Sequence, residues 1–333
     1  MSEERPLVTF ALFAYNQERF VREAVEGAFA QDYSPLEIIL SDDCSTDRTF
    51  EIMQEVVAGY RGRHRVLINR NQQNLGIAGH INHVMQLVRT DFVVVAAGDD
   101  ISLPHRTRAL VSAWLASGRL AKLIHSQATD IDQCGKELGT IRQGSSDEVL
   151  NCLAAHADRI VNVLGATGGL DMEVIRRFPP IHKQVRNEDV VLSFRAALIG
   201  SVIGVPAPLV KYRTEVGTSF EVVRRRKQGV YQPSGAVLLD PYVCFVQKHR
   251  DLKTLHPNSE LESTLRARRA EWLLPLALRR RHALTARQVR FFAKRCRWAP
   301  ALKELLKARF PILVKAKQRA QFRTLKSASA ESW

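Results

Sequence analysis

The amino-acid sequence predicts an α/β protein with a mostly parallel sheet, followed by a basic helical region. Short apolar runs alternate with segments of helical periodicity through roughly residue 220. Several runs are unbroken by polar residues, which is typical of parallel strands covered on both faces. Residues 1–220 hold 23 Lys and Arg against 26 Asp and Glu, whereas residues 221–333 hold 26 against 8. We therefore expect one domain over 1–220 and a basic, mainly helical C-terminal region over 221–333.

The first half of the chain repeats a strand–helix unit. The predicted strands cover residues 7–14, 37–41, 66–69 and 92–97, with a fifth near 123–128, and helices cover 20–29, 50–57 and 77–88. After the fifth strand the pattern weakens, and Asp130–Asp158 is expected to be irregular. Gly165–Gly169 is too rich in glycine for a strand interior. A helix over Glu188–Ile199 and a short apolar segment over Ser201–Val205 follow.

Polar residues gather where the predicted strands end. Ala14-Tyr15-Asn16, Asp42-Asp43, Asn71–Gly76 and Gly98-Asp99-Asp100 each follow one of the first four strands. Ligands of open α/β sheets bind beyond the carboxyl ends of the strands. The four clusters therefore predict a single pocket.

Asp99 and Asp100 predict a metal site in this pocket. Carboxylates at the end of a buried strand are costly unless a positive group binds them. Mg²⁺ or Mn²⁺ takes one or two carboxylates and fills its other positions from phosphates and water. A solvated loop or a helix cap is the alternative for an isolated acidic pair, and it applies equally to Asp42-Asp43 and Glu188-Asp189.

Together these segments carry a resemblance to a known family. The motifs are Ala14-Tyr15-Asn16, Asp42-Asp43-x-Ser-Thr-Asp, Asn74-Leu75-Gly76 with Asn82 six residues later, Gly98-Asp99-Asp100, and Asn187-Glu188-Asp189. In order and spacing they resemble the family 2 glycosyltransferases of the GT-A fold, a Rossmann-like nucleotide-sugar-binding domain. The resemblance runs from about Leu7 to Ser219 and includes Tyr212-Arg213, which is similar to a pair that closes the domain in many members.

The resemblance implies a role for each matching residue. Donor binding falls to Ala14, Tyr15, Asn16, Asp43, Asn74, Gly76 and Asp99. Tyr15 would stack on the base, Asp43 would hydrogen-bond it, and Asp99 would contact ribose or diphosphate. Asp100 would ligate the divalent cation, and Asp189 would be the catalytic base. Gly168, Gly169 and Glu188 are expected on the acceptor side, since small residues let an acceptor approach the backbone.

The implied reaction is an inverting transfer from a nucleotide-diphosphate sugar, with uridine diphosphate as the default. The acceptor is a hydroxyl of a glycan or a lipid-linked molecule, in surface polysaccharide assembly. Two alternatives stay open: a non-catalytic nucleotide- or carbohydrate-binding protein on the same fold, and a metal-dependent nucleotidyltransferase. The second normally needs a phosphate-cradling glycine-rich loop with a Lys or Arg near strand one, and Ala14–Glu18 contains neither.

Three positions depart from the family pattern. Ile81 stands before Asn82, where many members have Arg, so His80 or a C-terminal basic residue is the candidate cation for the diphosphate. Ala97 leaves only two carboxylates for the metal. Thr214–Ser219 contains no histidine, which puts a third metal ligand in doubt.

The expected location is the cytoplasm, with attachment to the inner face of the membrane as an open question. Met1–Arg5 is charged and is not followed by an apolar signal segment, and five scattered cysteines contain no C-x-x-C pair. Basic amphipathic stretches over 265–281 and 302–326 favour either an anionic membrane or packing on the catalytic domain. Nucleic acid is an unlikely partner because no recognised binding motif is present.

Overall fold

Nine strands form one sheet in the computed structural model, which describes residues 5–214, 216, 235–256 and 259–269. The strands are β1 (Val8–Ala14), β2 (Leu36–Asp42), β3 (Arg65–Arg70), β4 (Phe92–Ala97), β5 (Ile101–Ser102), β6 (Ala121–Ile131), β7 (Glu137–Arg142), β8 (Gly169–Asp171) and β9 (Ser201–Arg213). Their order is β3-β2-β1-β4-β8-β6-β9-β5, and β7 pairs with β6 outside this path.

The sheet has a parallel half and a mixed half. Strands β1 to β4 are mutually parallel neighbours, and β9 runs parallel to β6. Strand β8 is antiparallel to both β4 and β6, so β6 and β9 share the direction of the first four strands. Among the nine described strands, only β5, β7 and β8 run the opposite way. The predicted mostly parallel α/β sheet is therefore confirmed.

Helices cover both faces of this sheet. They are α1 (Val21–Phe29), α2 (Thr49–Gly59), α3 (Gly76–Leu87), α4 (Arg106–Ala116), α5 (Asp147–Leu150), α6 (Leu153–Asp158), α7 (Glu173–Arg176), α8 (Glu188–Ile199) and α9 (Gly235–Leu255), with a 3₁₀ turn at Gly165–Thr167. In β1, Phe10 and Leu12 join a buried cluster with α1 and α4, whereas Ala11 joins the cluster of α3 and α8. Alternation along each strand thus supplies two cores.

The structure corrects the prediction for the middle of the chain. Asp130–Asp158 is not irregular, because it contains the end of β6, all of β7, and helices α5 and α6. All six residues of β7 are exposed, so this edge strand lacks the apolar alternation that identifies a strand in sequence. Gly169 is the first residue of β8. Glycine is needed at this position because an added Cβ would come 2.6 Å from the Phe92 ring. The short segment predicted over Ser201–Val205 extends through Arg213.

Helix α9 packs against α8. Arg195 and Asp251 form a buried ion pair of 2.8 Å between these helices, and Phe194 shares a small apolar cluster with Phe245 and Leu265. The predicted boundary at 220 and the basic stretch 302–326 lie outside the described residues, as does 265–281 beyond residue 269. None of the helices in the described ranges is long and apolar enough to span a bilayer.

Candidate active site

The carboxyl ends of β1, β2 and β4 meet at one point. The Asp43 N–H donates to the Ala14 carbonyl at 2.9 Å, and the Gly98 N–H donates to the Phe13 carbonyl at 2.8 Å. A Cβ on Gly98 would lie 2.9 Å from the Cβ of Ala14 and 2.5 Å from Oε1 of Gln17, so only glycine fits there. The structure thus brings the strand-end clusters together, as the sequence predicts.

The turn after β1 presents Tyr15 to solvent. Asn16 adopts a left-handed φ of 52°, and its N–H donates to Ser45 Oγ at 2.9 Å. Its side-chain oxygen accepts the Thr46 N–H at 2.9 Å. Asn16 therefore ties this turn to the segment after β2, while Tyr15 is 44% exposed beside the strand end.

Asp43 follows the end of β2 and organises the third cluster, Asn71–Gly76. Its Oδ1 accepts Nδ2 of Asn71 at 2.7 Å and the Leu75 N–H at 2.9 Å, and its Oδ2 accepts the Gly76 N–H at 2.9 Å. Asn74 is exposed and caps the same turn, since its Oδ1 accepts the Gly76 N–H at 3.0 Å. A carboxylate has about four acceptor positions, so Oδ2 can accept a further donor.

His80 is not the cation that replaces the missing arginine. It is buried below the sheet end, where its Nε2 contacts Ser41 Oγ at 2.7 Å. Burial lowers the pKa of His80 to about 4, despite the opposing charge of Asp43. The imidazole is therefore neutral near pH 7 and belongs to the buried support of the pocket.

Asp99 and Asp100 form an acidic pair at the end of β4. Burial raises the pKa of Asp99, and burial together with the neighbouring Asp99 raises the pKa of Asp100 well above its ordinary value. Hydrogen bonding from Gln17 and the charge of Arg213 partly oppose this for Asp99. The pair is thus an electrostatic site that a cation would stabilise.

Arg213 holds the end of β9 against this pair. Its N–H donates to Asp100 Oδ1 at 2.8 Å, and its Nε donates to the Asp99 carbonyl at 3.0 Å. The same guanidinium bonds Glu23 Oε2 at 2.7 Å. Arg213, the second residue of the Tyr212-Arg213 pair, therefore lies at the carboxylates.

The described ranges contain no cluster of three or more His, Cys, Asp or Glu that could hold a metal ion by itself. The adjacent carboxylates of half-buried Asp99 and buried Asp100 nevertheless fit a hard cation that draws its remaining ligands from phosphates and water.

Glu188 and Asp189 form the first turn of α8, next to the 3₁₀ turn at Gly165–Thr167. Asp189 Oδ2 accepts Nδ2 of Asn162 at 2.6 Å, and Oδ1 accepts the Val190 N–H at 2.9 Å. A Cβ on Gly165 would lie 3.5 Å from the Asp189 Cβ and 3.4 Å from Glu188 Oε1. Gly165 therefore faces the two acids, and Gly168 lines the same small cavity. Gly168 and Gly169 are buried, and their acceptor role stays a prediction.

Arg106, which sequence reasoning missed, connects β4, which precedes Asp99 and Asp100, to the 3₁₀ turn near Glu188 and Asp189. It is fully buried, and its Nη2 donates to the carbonyls of Val95 at 2.6 Å and Ala166 at 2.7 Å. Burial lowers the pKa of Arg106 to about 9, and the charge of Asp100 partly opposes this decrease. The guanidinium is therefore charged at neutral pH. Its place on the apolar face of α4, four residues before Leu110, was a readable signal of a buried cation.

Comparisons with known proteins identify similar sequences and folds. Residues 9–127 match the family model of glycosyl transferase family 2. "Putative glycosyltransferase EpsE" of Bacillus subtilis (strain 168) is 32% identical over 130 residues, which are 39% of this chain and 46% of that protein. The chain therefore spans less than half the length of that relative.

Two solved structures share the fold. S. aureus TarS 1–349 in complex with UDP-GlcNAc superposes with a TM-score of 0.54 and 16% identity, covering 90% of this chain and 81% of TarS 1–349. The mannosyltransferase PcManGT from Pyrobaculum calidifontis, in complex with GDP-Man and Mn²⁺, gives a TM-score of 0.53 and 16% identity, covering 95% and 87%.

Proposed function

We propose that this chain, which belongs to glycosyl transferase family 2 and has the GT-A fold, transfers a sugar from a nucleotide-diphosphate donor to an acceptor hydroxyl with inversion. The observation that carries the proposal is the meeting of Tyr15, Asp43 and the Asp99–Asp100 pair at one sheet end. The exposed ring of Tyr15 suits stacking on a base, and the buried Asp43 carboxylate suits an N–H group of that base. The Asp99–Asp100 pair suits a cation bound to the diphosphate.

The donor half of the proposal assigns each group a task. Tyr15 stacks on the base, and Asp43 Oδ2 accepts a base N–H. Ala14, Asn16, Asn74 and Gly76 shape the pocket through the contacts described above. The two solved structures contain different nucleotide sugars, UDP-GlcNAc and GDP-Man, and therefore do not select one nucleotide. Uridine diphosphate is the default to be tested first.

A divalent cation is part of the proposal, with Asp100 as its ligand and Asp99 toward the ribose or diphosphate. When bound, Mn²⁺ or Mg²⁺ supplies Lewis-acid stabilisation of the departing phosphates. Around it, Arg213 fixes the Asp100 carboxylate through the 2.8 Å backbone bond, and Gln17 steadies Asp99.

Asp189 is the proposed catalytic base, with Glu188 beside it on the acceptor side. The acceptor oxygen attacks the anomeric carbon, the bond from that carbon to the diphosphate breaks, and the diphosphate leaves with the electron pair. The hydroxyl proton passes to the Asp189 carboxylate. Attack opposite the leaving group inverts the anomeric configuration. General-base assistance of this kind contributes about 10²–10⁴ in rate.

Thermal stabilisation by nucleotide diphosphates tests the donor assignment directly. UDP, GDP, ADP and CDP are compared with and without Mn²⁺, and a ligand at 100 times its Kd adds about 2.7 kcal/mol. Stabilisation by one nucleotide, larger with Mn²⁺, is expected. Binding without any release of diphosphate from the matching sugar nucleotide would instead favour the non-catalytic alternative.

The metal assignment has its own variant. Asp100→Ala should weaken nucleotide binding in Mn²⁺ by at least the roughly 10–100-fold typical of perturbing a metal's outer shell. The variant should also bind nucleotide equally with and without chelator. Wild-type binding that is unchanged by excess chelator contradicts the metal role.

We further propose a role in surface glycan assembly at the inner face of a membrane, supported by the 26 Lys and Arg against 8 Asp and Glu in residues 221–333. Binding to anionic vesicles should be strong at low salt and fall steeply as salt screens it. Equal binding to neutral vesicles contradicts the electrostatic attachment.

A further inference from the structure

A polar cleft is lined in part by Asn162, whose side chain contacts the proposed catalytic base, Asp189. Its volume is about 330 Å³, and it lies between the end of β7 and the segment 162–164. This volume is at the lower end of small-molecule sites, which typically measure about 300–1,000 Å³. The cleft floor is tight, because a Cβ on Gly144 would come 2.7 Å from Cα of Val163.

Asn162 joins the cleft to Asp189. The two hydrogens of its Nδ2 are used by the Val163 carbonyl at 2.9 Å and by Asp189 Oδ2 at 2.6 Å. Both partners are acceptors, so the amide orientation is fixed by chemistry. Its Oδ1 accepts no hydrogen bond from the part of the chain that the structure describes and is available to a ligand hydroxyl.

Arg142 forms the opposite wall. Its Nε and Nη2 donate to the two carboxylate oxygens of Asp130 at 2.7 and 2.9 Å, and its guanidinium lies 5.0 Å from the Tyr212 ring centroid. Its Nη1 donates to no described residue and is available to a ligand oxygen. The hydrogen bonds to Asp130 raise the pKa of Arg142, and the charge of Asp100 adds to this. The wall therefore lies within electrostatic range of the proposed metal carboxylate.

These groups select a chemical class of ligand. Asp130 already neutralises Arg142, which weakens the attraction for an anion. Arg142, Ser145 and Asn162 give the cleft polar walls, which would leave polar groups unpaired against a lipid chain. Fixed donors and acceptors around a small volume instead suit a neutral polyhydroxylated group.

We infer that this cleft, lined by Arg142, Ser145 and Asn162, is the acceptor subsite and takes a neutral saccharide unit whose hydroxyl reaches Asp189. The inference rests on the proposed transferase function. Asn162 is in this scheme a positioning residue, because it orients both the acceptor hydroxyl and the Asp189 carboxylate.

The test uses the full chain, the sugar nucleotide of the best-bound diphosphate, and a panel of methyl hexosides and N-acetylhexosaminides as acceptor probes. Diphosphate release is measured with and without each probe, beside nucleotide binding. Arg142→Gln should raise the KM for the probe by about tenfold or more, as expected for a lost hydrogen bond from a charged group. Asn162→Ala should raise KM and also lower kcat. Nucleotide affinity should stay unchanged in both.

Two further variants separate the cleft from general damage. Ser145→Phe fills the cleft and should abolish probe-dependent release while nucleotide still binds. Arg65→Gln is the matched control, because Arg65 also pairs with a strand carboxylate, Glu37, but lies on β3 at the opposite edge of the sheet. Its kinetics should equal those of wild type.

The failures are distinguishable. Wild type that binds no nucleotide and releases no diphosphate contradicts the proposed function. Wild type that releases diphosphate but responds to none of the glycosides contradicts the saccharide class. A normal probe KM in both Arg142→Gln and Ser145→Phe contradicts the location.

Discussion

The donor side of the site and its acceptor side are built differently. On the donor side, Tyr15, Asp43 and Asp99 each lie within two residues of the end of a regular strand. On the acceptor side, Asp189 depends on Asn162, 27 residues earlier. The donor groups repeat one kind of support, a strand end followed by a helix, whereas Asp189 begins a helix and is held by an amide from a loop. Removal of a side chain at one strand end should therefore affect the donor side narrowly, whereas a change at Asn162 should affect Asp189 directly.

Helix α9 extends the acceptor side further. Asp251 Oδ1 accepts Nε2 of Gln247 at 2.8 Å, and Gln247 Oε1 accepts the His182 N–H at 3.0 Å. Arg195 donates from Nε to Asp251 at 2.8 Å and from Nη2 to the Pro179 carbonyl at 2.6 Å. This network holds both α8 and the segment that leads into Asp189. Part of the C-terminal third thus supports the site instead of standing apart from it.

The largest effect is expected from Asp189→Asn, which tests the acceptor side at its centre. The amide keeps the shape of the carboxylate but does not take the acceptor proton. Turnover should fall by about 10²–10⁴, while donor affinity hardly changes because Asp43, Asp99 and Asp100 hold the donor. Diphosphate release with acceptor, beside nucleotide binding, measures both quantities.

Glu188→Gln is the matched control for this variant. It changes the neighbouring acid of the same helical turn and should cost much less turnover. If Asp189→Asn keeps turnover within a few-fold of wild type while Glu188→Gln does not, the two acids exchange roles.

The second effect concerns stability and compares a buried ion pair with an exposed one. Asp251→Ala leaves the buried Arg195 without its carboxylate partner, and such a loss costs about 3–5 kcal/mol. Asp32→Ala removes the exposed partner of Arg108, at 2.8 Å, and should cost about 0–1 kcal/mol. Urea unfolding measures both. Equal costs would show that α9 adds little to the stability of the domain.

A third comparison uses the two buried histidines, His80 on the donor side and His156 on the acceptor side. Burial lowers the pKa of each to about 4, and Lys248 adds to the effect at His156. The folded pKa lies below the unfolded value, so the unfolded state binds more protons between about pH 6.5 and 4. The free energy of unfolding should therefore fall as pH falls, by about 2 kcal/mol per histidine between pH 7 and 5.

His156→Gln and His80→Gln should each remove about half of this pH dependence. Unfolding in urea at pH 7 and pH 5 gives the slopes, and NMR titration gives the two pKa values directly. A His156 pKa near 6.5 in the folded protein would contradict the burial argument for the acceptor side.

The same contrast explains what the sequence predicts well. Strands β1 to β4, their helices and the placement of Asp43 and Gly98 on either side of the end of β1 follow from periodicity and from the rule for strand ends, because each depends on a short continuous segment. The helix α8 was predicted with both ends correct, since acids at 188 and 189 precede an apolar run. The family resemblance is likewise supported by the match over residues 9–127.

The remainder depends on contacts that no short segment contains. The exposed strand β7 has no apolar face to detect, and the Asn162–Asp189 bond joins a loop to the first turn of α8. The sequence offers His80 for a phosphate contact, yet Ser41 and Phe13 contact its ring. Gly165, which the sequence did not single out, lies against Glu188 and Asp189, and the acceptor role of Gly168 and Gly169 stays a prediction.

The smallest expected effect belongs to Tyr15, and it tests whether the donor side responds as narrowly as its construction suggests. The ring is 44% exposed at the end of β1, so its removal should leave the core and the acceptor side undisturbed. If the ring stacks on the base, Tyr15→Ala should weaken nucleotide binding about tenfold, at the lower end of base stacking because the site is open. Tyr15→Phe keeps the stacking face and should bind within about twofold of wild type. Isothermal titration of the best-bound nucleotide diphosphate in Mn²⁺ measures both variants, and urea unfolding should give both the stability of wild type.

Loss of affinity in Tyr15→Phe as large as in Tyr15→Ala would move the contact from the ring to the hydroxyl. Unchanged affinity in Tyr15→Ala would remove Tyr15 from the donor site and leave Asp43 as the nearest group to the base.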